Sequence, residues 1–190
     1  MGRPSISVER RKTILDAFER CVLRLGLTET SLDDVAEETG LPRSVVRYFV
    51  GNRDDMVALL IDRMIERVEF SVVERFAERA EPSADTLVTL LFDDVMGDLQ
   101  INQIAAELWH VSLRNAAVGK RLHDIYSRLV DELAEKIAKL DGTRRKAQCR
   151  MTAYTVVALA LGTTNLSAFG VLPKGVAEAR KAALVLLEAS

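Results

Sequence analysis

Two arginines, a serine and a tyrosine occur close together in the stretch LPRSVVRYFVGNR, residues 41–53. Wound as an α-helix at about 100° per residue, the stretch places Val45, Val46 and Phe49 on one side. The opposite side carries four polar side chains: Arg43, Ser44, Arg47 and Tyr48. Arginine can bind guanine O6 and N7 together, and hydroxyl groups suit phosphate oxygens. The pattern favours a helix that docks by one face and contacts a nucleic acid by the other, although an ordinary solvated helix has similar spacing.

The predicted elements around this stretch distinguish a nucleic-acid-binding helix from an ordinary solvated helix. A first helix is predicted over residues 8–25, with Gly26 as its stop. Ser31, followed by Asp34 three positions later, indicates a capped start for a second helix. The Gly-Leu-Pro turn at residues 40–42 then redirects the chain, because glycine tolerates positive φ and proline fits a helix start. Two short helices joined by a tight turn that contains glycine match the helix-turn-helix motif.

The remainder of the chain is predicted to form a helical bundle. Gly51 ends the third helix, and Asn52 can cap a long fourth helix over residues 53–79. Five further helices are predicted, over residues 84–99, 102–114, 118–140, 143–169 and 174–189. The predicted fold is all-α, with about nine helices. Residues 1–52 are expected to form an arm and a three-helix helix-turn-helix domain, and residues 53–190 a helical domain.

Composition and charge limit the other functions. Of the 190 residues 48% are hydrophobic, and only 10 glycines and 4 prolines interrupt the chain, which favours a globular helical protein. The formal net charge of −2 argues against a protein that coats nucleic acid over its whole surface, but permits a local basic face. Cys21 and Cys149 lack metal-like spacing, and residues 1–12 lack the apolar core of a signal peptide. We therefore expect reduced thiols in a cytoplasmic protein without metal or cofactor.

Catalytic motifs are absent from the sequence. The two histidines, His110 and His123, belong to no HExxH motif, and there is neither a nucleophile elbow nor a phosphate-binding glycine loop. We therefore expect a protein that is not an enzyme.

Several motifs in residues 10–60 resemble, in order and spacing, the DNA-binding domain of the tetracycline-repressor (TetR) family. The matching pieces are ILDAF, the glycine after helix one, TSLDDVAEETGL, RYF and NRDDMVALL. The resemblance implies a transcriptional regulator, commonly a repressor, that binds a palindromic DNA operator as a homodimer and responds to a ligand. The segment from Gly40 to Phe49 is one residue shorter than the family pattern. Base contacts within helix three are therefore inferred from the helical wheel rather than from alignment.

The resemblance implies that helix three enters the major groove of DNA. Ser31 and Arg53 lie at the predicted starts of helices two and four, where backbone N–H groups favour phosphates. The candidate DNA contacts are Ser31, Arg43, Ser44, Arg47, Tyr48 and Arg53. A basic arm is a further candidate for phosphate or minor-groove contact, with a solvated tail as the alternative. Its cations are Arg3, Arg10, Arg11 and Lys12.

Residues 151–173 contain no charged side chain. Their number suits a membrane helix, but several threonines, an asparagine and a serine make them a poor hydrocarbon span. A helix that is apolar nearly all round is buried on all sides, and Ala158, Ala160 and Gly162 would let another helix approach closely. We expect one side to face the bundle and the other a partner subunit. The last two helices would then form a four-helix homodimer interface, as in the family.

The resemblance also implies an effector pocket between helices of the larger domain, mostly apolar with a few polar groups. Seven large side chains are candidate contacts for a small apolar or aromatic effector, although each also suits a core position: Phe92, Met96, Trp109, His110, Tyr126, Met151 and Tyr154. Trp109 and His110 form the strongest pair, because a simple leucine core needs neither. Two alternatives remain open: a helical ligand-binding or interaction protein without sequence-specific DNA binding, and a membrane-attached helical protein.

Overall fold

The computed structural model describes residues 6–63, 66, 83–172 and 174–189. Every regular element in these residues is helical, which confirms the all-α fold class. In chain order the helices are α1 (Ile6–Leu25), α2 (Leu32–Thr39), α3 (Arg43–Val50), α4 (residues 53–63), α5 (Ala84–Thr89), α6 (Leu99–Ser112), α7 (Ala116–Leu140), α8 (Lys146–Ala168) and α9 (Gly175–Glu188). The predicted continuation of the fourth helix over residues 67–79 lies outside the described residues.

The chain divides into two compact units. The first contains Met1–Glu66 and Gln100–Leu122, and the second contains Arg67–Leu99 and His123–Ser190. The sequence predicts a domain boundary after residue 52, and that boundary stays a prediction. The unit that holds the first three helices also takes in α4 and most of α6. Polar side chains from both of these helices bind to α1 or to the turn that follows it.

Local capping signals explain where α2 and α3 begin and end. Ser31 Oγ accepts a hydrogen bond from Asp34 N at 3.3 Å, and Asp34 Oδ2 accepts one from Ser31 N at 2.7 Å. This is the predicted capping box. Gly40 and Gly51 end the two helices with φ of +65° and +76°, in the left-handed region that favours glycine. Pro42 precedes α3 with φ of −56°, a value that already suits a helix start.

A small apolar core holds α1, α2 and α3 together. Ile14 and Phe18 of α1, Leu27 of the following turn, Val35 of α2 and Val46 of α3 each have 0% of their surface exposed. Burying a large aliphatic or aromatic side chain of this kind contributes roughly 1.5–3 kcal/mol. Because α3 is anchored in this core, the opposite side of the helix points to solvent.

The second unit has its own core, formed between α5, α7, α8 and α9. Leu87 of α5, Leu133 and Ile137 of α7, Val156 of α8 and Ala183 of α9 have at most 2% of their surface exposed. Leu129, Leu133 and Ile137 follow one another at helical spacing, so one side of α7 faces this core. The two cysteines are free and buried, as expected, one in each unit.

The helix predicted over residues 84–99 is interrupted. α5 passes into a π-helical segment, Leu90–Val95, which closes with a hydrogen bond from Met96 N to Leu91 O at 2.9 Å. A Cβ on Gly97 would collide with the carbonyl oxygen of Asp93, so the chain leaves the helix at a residue without a side chain. The hydrophobic pattern does not distinguish a π-turn from an α-turn, and the prediction of one continuous helix is wrong at this point.

Candidate functional site

The outward face of α3 carries the polar side chains that the helical wheel predicts. Four exposed side chains project from it: Arg43, Ser44, Arg47 and Tyr48. Tyr48 has 83% of its surface exposed, whereas Val46 and Val50 on the opposite side have 0% and 2%. The predicted orientation of α3 is confirmed, and contact with DNA stays a prediction.

Two contacts hold side chains of this face in place and leave them exposed to solvent. Arg43 Nη1 lies 3.4 Å from Asp33 Oδ2 of α2, and the two side chains are 60% and 65% exposed. An exposed ion pair of this kind contributes at most about 1 kcal/mol, so the guanidinium remains available to a stronger acceptor. The ring of Tyr48 meets the ring of Phe49 edge-on, with centroids 5.1 Å apart. This aromatic contact positions the phenol on the surface of the unit.

Ser31 and Arg53, two other predicted DNA contacts, bind the protein itself. Ser31 Oγ lies 2.5 Å from Asp34 Oδ2, to which its hydroxyl can donate. Arg53 Nη2 donates to the carbonyl oxygens of Leu27 and Thr28 at 2.7 and 3.1 Å. The structure thus gives each residue a role in holding the first unit together, and phosphate contact by either one stays a prediction.

The basic cluster predicted as an arm lies mostly on a helix. Arg10, Arg11 and Lys12 are exposed on α1, which begins at Ile6, two residues before its predicted start. Arg3 lies outside the described residues. A helix therefore displays three of the four cations at fixed intervals.

A cavity of about 740 Å³ lies between α7 and α8 in the second unit. Three of the predicted effector contacts line it: Tyr126, Met151 and Tyr154. Burial raises the pKa of the Tyr126 phenol, which keeps the hydroxyl protonated near neutral pH and able to donate a hydrogen bond. The remaining walls are largely aliphatic, so the cavity suits an apolar or aromatic molecule.

The cavity also has polar lining residues that the sequence did not single out. His123 and Ser127 of α7 line it, with His123 Nε2 3.4 Å from Ser127 Oγ. Arg150 of α8 lines it too, and its Nε donates to Asp131 Oδ1 at 2.8 Å. His123 lies three positions before Tyr126 and four before Ser127, spacings at which helical side chains are neighbours. That helical spacing is the signal that could have found them.

The other four predicted effector contacts lie elsewhere. Phe92 and Met96 belong to the core of the second unit and are each 6% exposed. Trp109 and His110 lie exposed on α6 in the first unit and do not line the cavity. Contact of these four side chains with an effector stays a prediction.

Within the described residues, α8 has one buried side and one exposed side. Cys149, Ala153 and Ala160 are at most 1% exposed, whereas Met151 and Leu166 are 65% and 52% exposed. The helix expected to be covered on all sides therefore leaves an apolar face open in the single chain. Among the described residues, no helix is apolar over a stretch long enough to cross a membrane.

Comparison with solved structures identifies the fold. A TetR transcription regulator from Haloarcula marismortui matches 96% of this chain and 98% of its own, with a TM-score of 0.81 and 17% identity. A transcriptional regulator from Saccharomonospora viridis, solved in complex with choline, matches 96% of this chain and 97% of its own, with a TM-score of 0.81 and 20% identity. This chain therefore has the fold of TetR regulators, which confirms the predicted resemblance at the level of the fold.

Sequence similarity covers less of the chain. The HTH-type transcriptional regulator BetI of Stenotrophomonas maltophilia is 20% identical over 109 residues, which are 57% of this chain and 55% of that protein. The chain thus matches about half the length of this curated relative. No family model matches the chain.

Proposed function

We propose that this protein is a DNA-binding transcriptional regulator that reads its operator with α3. The observation that carries the proposal is the exposed face of α3, where two guanidinium groups, a hydroxyl and a phenol project from a helix anchored by Val46 and Val50. The TetR fold and the helix-turn-helix regulator BetI among the curated relatives support it.

Each polar side chain of α3 has a proposed role. Arg43 and Arg47 lie one helical turn apart, and each can bind a guanine O6 and N7 as a bidentate donor. Ser44 and Tyr48 donate to phosphate oxygens and hold the helix in register with the groove. Ser31 and Arg53 are proposed phosphate contacts through their positions at the starts of α2 and α4, where helix N-termini attract anions.

The proposed operator is palindromic, because the proposed active form is a homodimer. One helix-turn-helix domain contacts only a few base pairs, and the two domains of a dimer bind half-sites about 34–36 Å apart. The proposed interface is formed by α8 and α9, whose exposed apolar side chains include Leu166 and Val185, at 52% and 65% exposure. Uncovered apolar side chains of this size favour burial against a second copy.

The cavity between α7 and α8 is the proposed effector site. It offers Tyr126, Met151 and Tyr154 to an apolar or aromatic molecule, with His123 and Ser127 as hydrogen-bonding groups. Choline, which the Saccharomonospora viridis regulator binds, is also a reasonable probe, because two tyrosine rings can bind a cation. An effector that prefers one conformation of the dimer would shift the population away from the one that fits DNA, as in a repressor released by its ligand.

The test begins with selection of bound sequences from a random pool of DNA duplexes by the purified protein. The selected duplex is then titrated with the wild-type protein and with the double variant Arg43→Ala/Arg47→Ala. We expect tight binding by the wild type and a loss of at least about 100-fold in the variant, because each arginine contributes about 1–3 kcal/mol of base discrimination. The double variant should keep the wild-type melting temperature, because both side chains are exposed.

A matched control removes the same charge elsewhere. Lys139→Ala/Arg145→Ala also deletes two exposed cations, but from the second unit. The control variant should bind the selected duplex like the wild type. Equal loss in both double variants would mean that α3 does not read the DNA. Failure to select any duplex, together with ligand binding in the cavity, would favour the alternative function, a helical ligand-binding protein without sequence-specific DNA binding.

In a bacterial or archaeal cell the chromosome lies in the cytoplasm, so a protein with the proposed function acts there. The proposed function therefore agrees with the cytoplasmic location that the sequence predicts.

A further inference from the structure

The turn between α1 and α2 is bound by side chains that come from distant parts of the chain. Gly26 begins the turn with φ of +84°, and Leu27, the next residue, has none of its side chain exposed. Thr30 closes the turn, with its hydroxyl donating to Gly26 O at 2.8 Å and its N–H at 3.2 Å. α2 begins two residues later, so the geometry of this turn sets the direction in which α2 starts.

One carboxylate binds the N–H side of the turn. Glu107 of α6 accepts a hydrogen bond from Leu27 N at 2.8 Å, although 80 positions separate the two residues. The carboxylate is half-buried. A hydrogen bond from a backbone N–H to a carboxylate is stronger than one between neutral groups, and burial increases its effect.

One guanidinium binds the C=O side of the same turn. Arg53 of α4 donates to Leu27 O, Thr28 O and Thr30 O at 2.7, 3.1 and 3.4 Å. The turn is thus fixed by an anion on its donor side and by a cation on its acceptor side. Both groups come from helices that follow the helix-turn-helix in the chain.

We propose that Glu107 is a positioning residue for DNA recognition by α3. By holding Leu27 N it fixes the turn from which α2 starts, and α2 packs against α3 within the same apolar core. Glu107 itself lies on α6 and is not one of the proposed DNA contacts. The inference depends on the proposed function, since it assigns a residue that orients the base-reading helix.

The test compares three variants on the duplex selected by the wild-type protein. Glu107→Ala removes the acceptor, and Glu107→Gln keeps an amide oxygen at the same position. Gln103→Ala, an exposed polar residue of the same helix, serves as the matched control. We expect Glu107→Ala to lose affinity for the selected duplex about tenfold or more, because a buried N–H loses a charged partner. Glu107→Gln should stay within about threefold of the wild type, and Gln103→Ala should be unchanged.

A second readout separates positioning from a general loss of stability. Binding to a duplex of unrelated sequence depends on exposed cations, which Glu107→Ala leaves in place. The ratio of specific to non-specific affinity should therefore fall in Glu107→Ala, whereas partial unfolding would weaken both kinds of binding equally. Equal weakening, or a Glu107→Gln variant as weak as Glu107→Ala, would overturn the proposal.

Hydrogen exchange tests the bond even if Glu107→Ala fails to fold. In the wild-type protein the amide of Leu27 should exchange much more slowly than that of the exposed neighbour Glu29. Exchange of the Leu27 amide as fast as that of Glu29 would overturn the proposal. If the wild-type protein selects no duplex at all, the proposed function fails first, and that failure is visible before any Glu107 variant is measured.

Discussion

At the scale of single residues, one buried valine determines which polar side chains α3 presents to solvent. Arg43 and Arg47 point to solvent because Val46 is buried on the other side of the same helix. The partners of Arg53 and Glu107 could not be predicted in this way. Arg53 binds residues 23–26 positions earlier in the chain, and Glu107 binds a residue 80 positions earlier. A local sequence pattern does not indicate tertiary contacts over such separations.

The capping box of α2 makes the stability of the first unit sensitive to acid. Hydrogen bonds from the Ser31 hydroxyl and backbone N–H hold the pKa of Asp34 below its ordinary value. Because the folded pKa is depressed, this contribution is present above the unfolded pKa of about 4 and is lost as pH falls through the folded pKa.

We therefore predict a difference between the wild type and Asp34→Asn in melting temperature measured from pH 7 to pH 3. The wild type should have the higher melting temperature, and the difference between the two proteins should be largest at neutral pH and smaller below about pH 4. Glu29→Gln is the matched control, because its carboxylate is exposed and is not part of the capping box. Parallel curves for the wild type and Asp34→Asn would contradict the prediction.

At the scale of helices, local stop signals located the helix-turn-helix accurately. Gly40 and Gly51 both adopt positive φ, so two residues without side chains determine where α2 and α3 end. The π-helical segment after α5 was missed, because its apolar pattern also fits a regular helix. α6 begins at Leu99, three residues earlier than predicted.

Gly51→Ala should destabilise the first unit. The glycine has φ of +76°, and a Cβ at this position would collide with the side chain of Asp55, which caps α4. We expect a loss of about 1–3 kcal/mol in the free energy of unfolding, measured with urea. Gly142→Ala is the control, because nothing lies within 4 Å of an added Cβ there, and it should change the free energy of unfolding little. A Gly51→Ala protein as stable as the control would contradict this account of the turn.

At the scale of the whole molecule, the exposed apolar side chains of α8 and α9 are the feature that a single chain does not explain. Leu166 and Val185 are 52% and 65% exposed, although leucine and valine are usually buried. The uncharged segment at residues 151–173 predicts that α8 packs against a partner subunit, and that assignment stays a prediction. The sequence could not give the complete lining of the cavity, because that lining depends on how the side chains of two packed helices face each other, which residue type alone does not determine.

Leu166→Glu/Val185→Glu should separate the proposed dimer. Two buried carboxylates would be costly in an apolar interface, whereas both positions are exposed in the single chain and tolerate charge there. Light scattering should give twice the 21.1 kDa chain mass for the wild type and about one chain mass for the variant. Leu113→Glu, at a position 78% exposed in the first unit, should remain dimeric. A dimeric double variant would place the interface elsewhere.

The central claim, that α3 reads base edges in the major groove, is tested most directly by methylation interference on the selected duplex. Dimethyl sulfate methylates guanine N7, which faces the major groove, and adenine N3, which faces the minor groove. The account predicts that guanine N7 methylation blocks wild-type binding in two half-sites about one helical turn apart. Binding that is insensitive to guanine N7 methylation, or that responds to adenine N3 methylation alone, would contradict it.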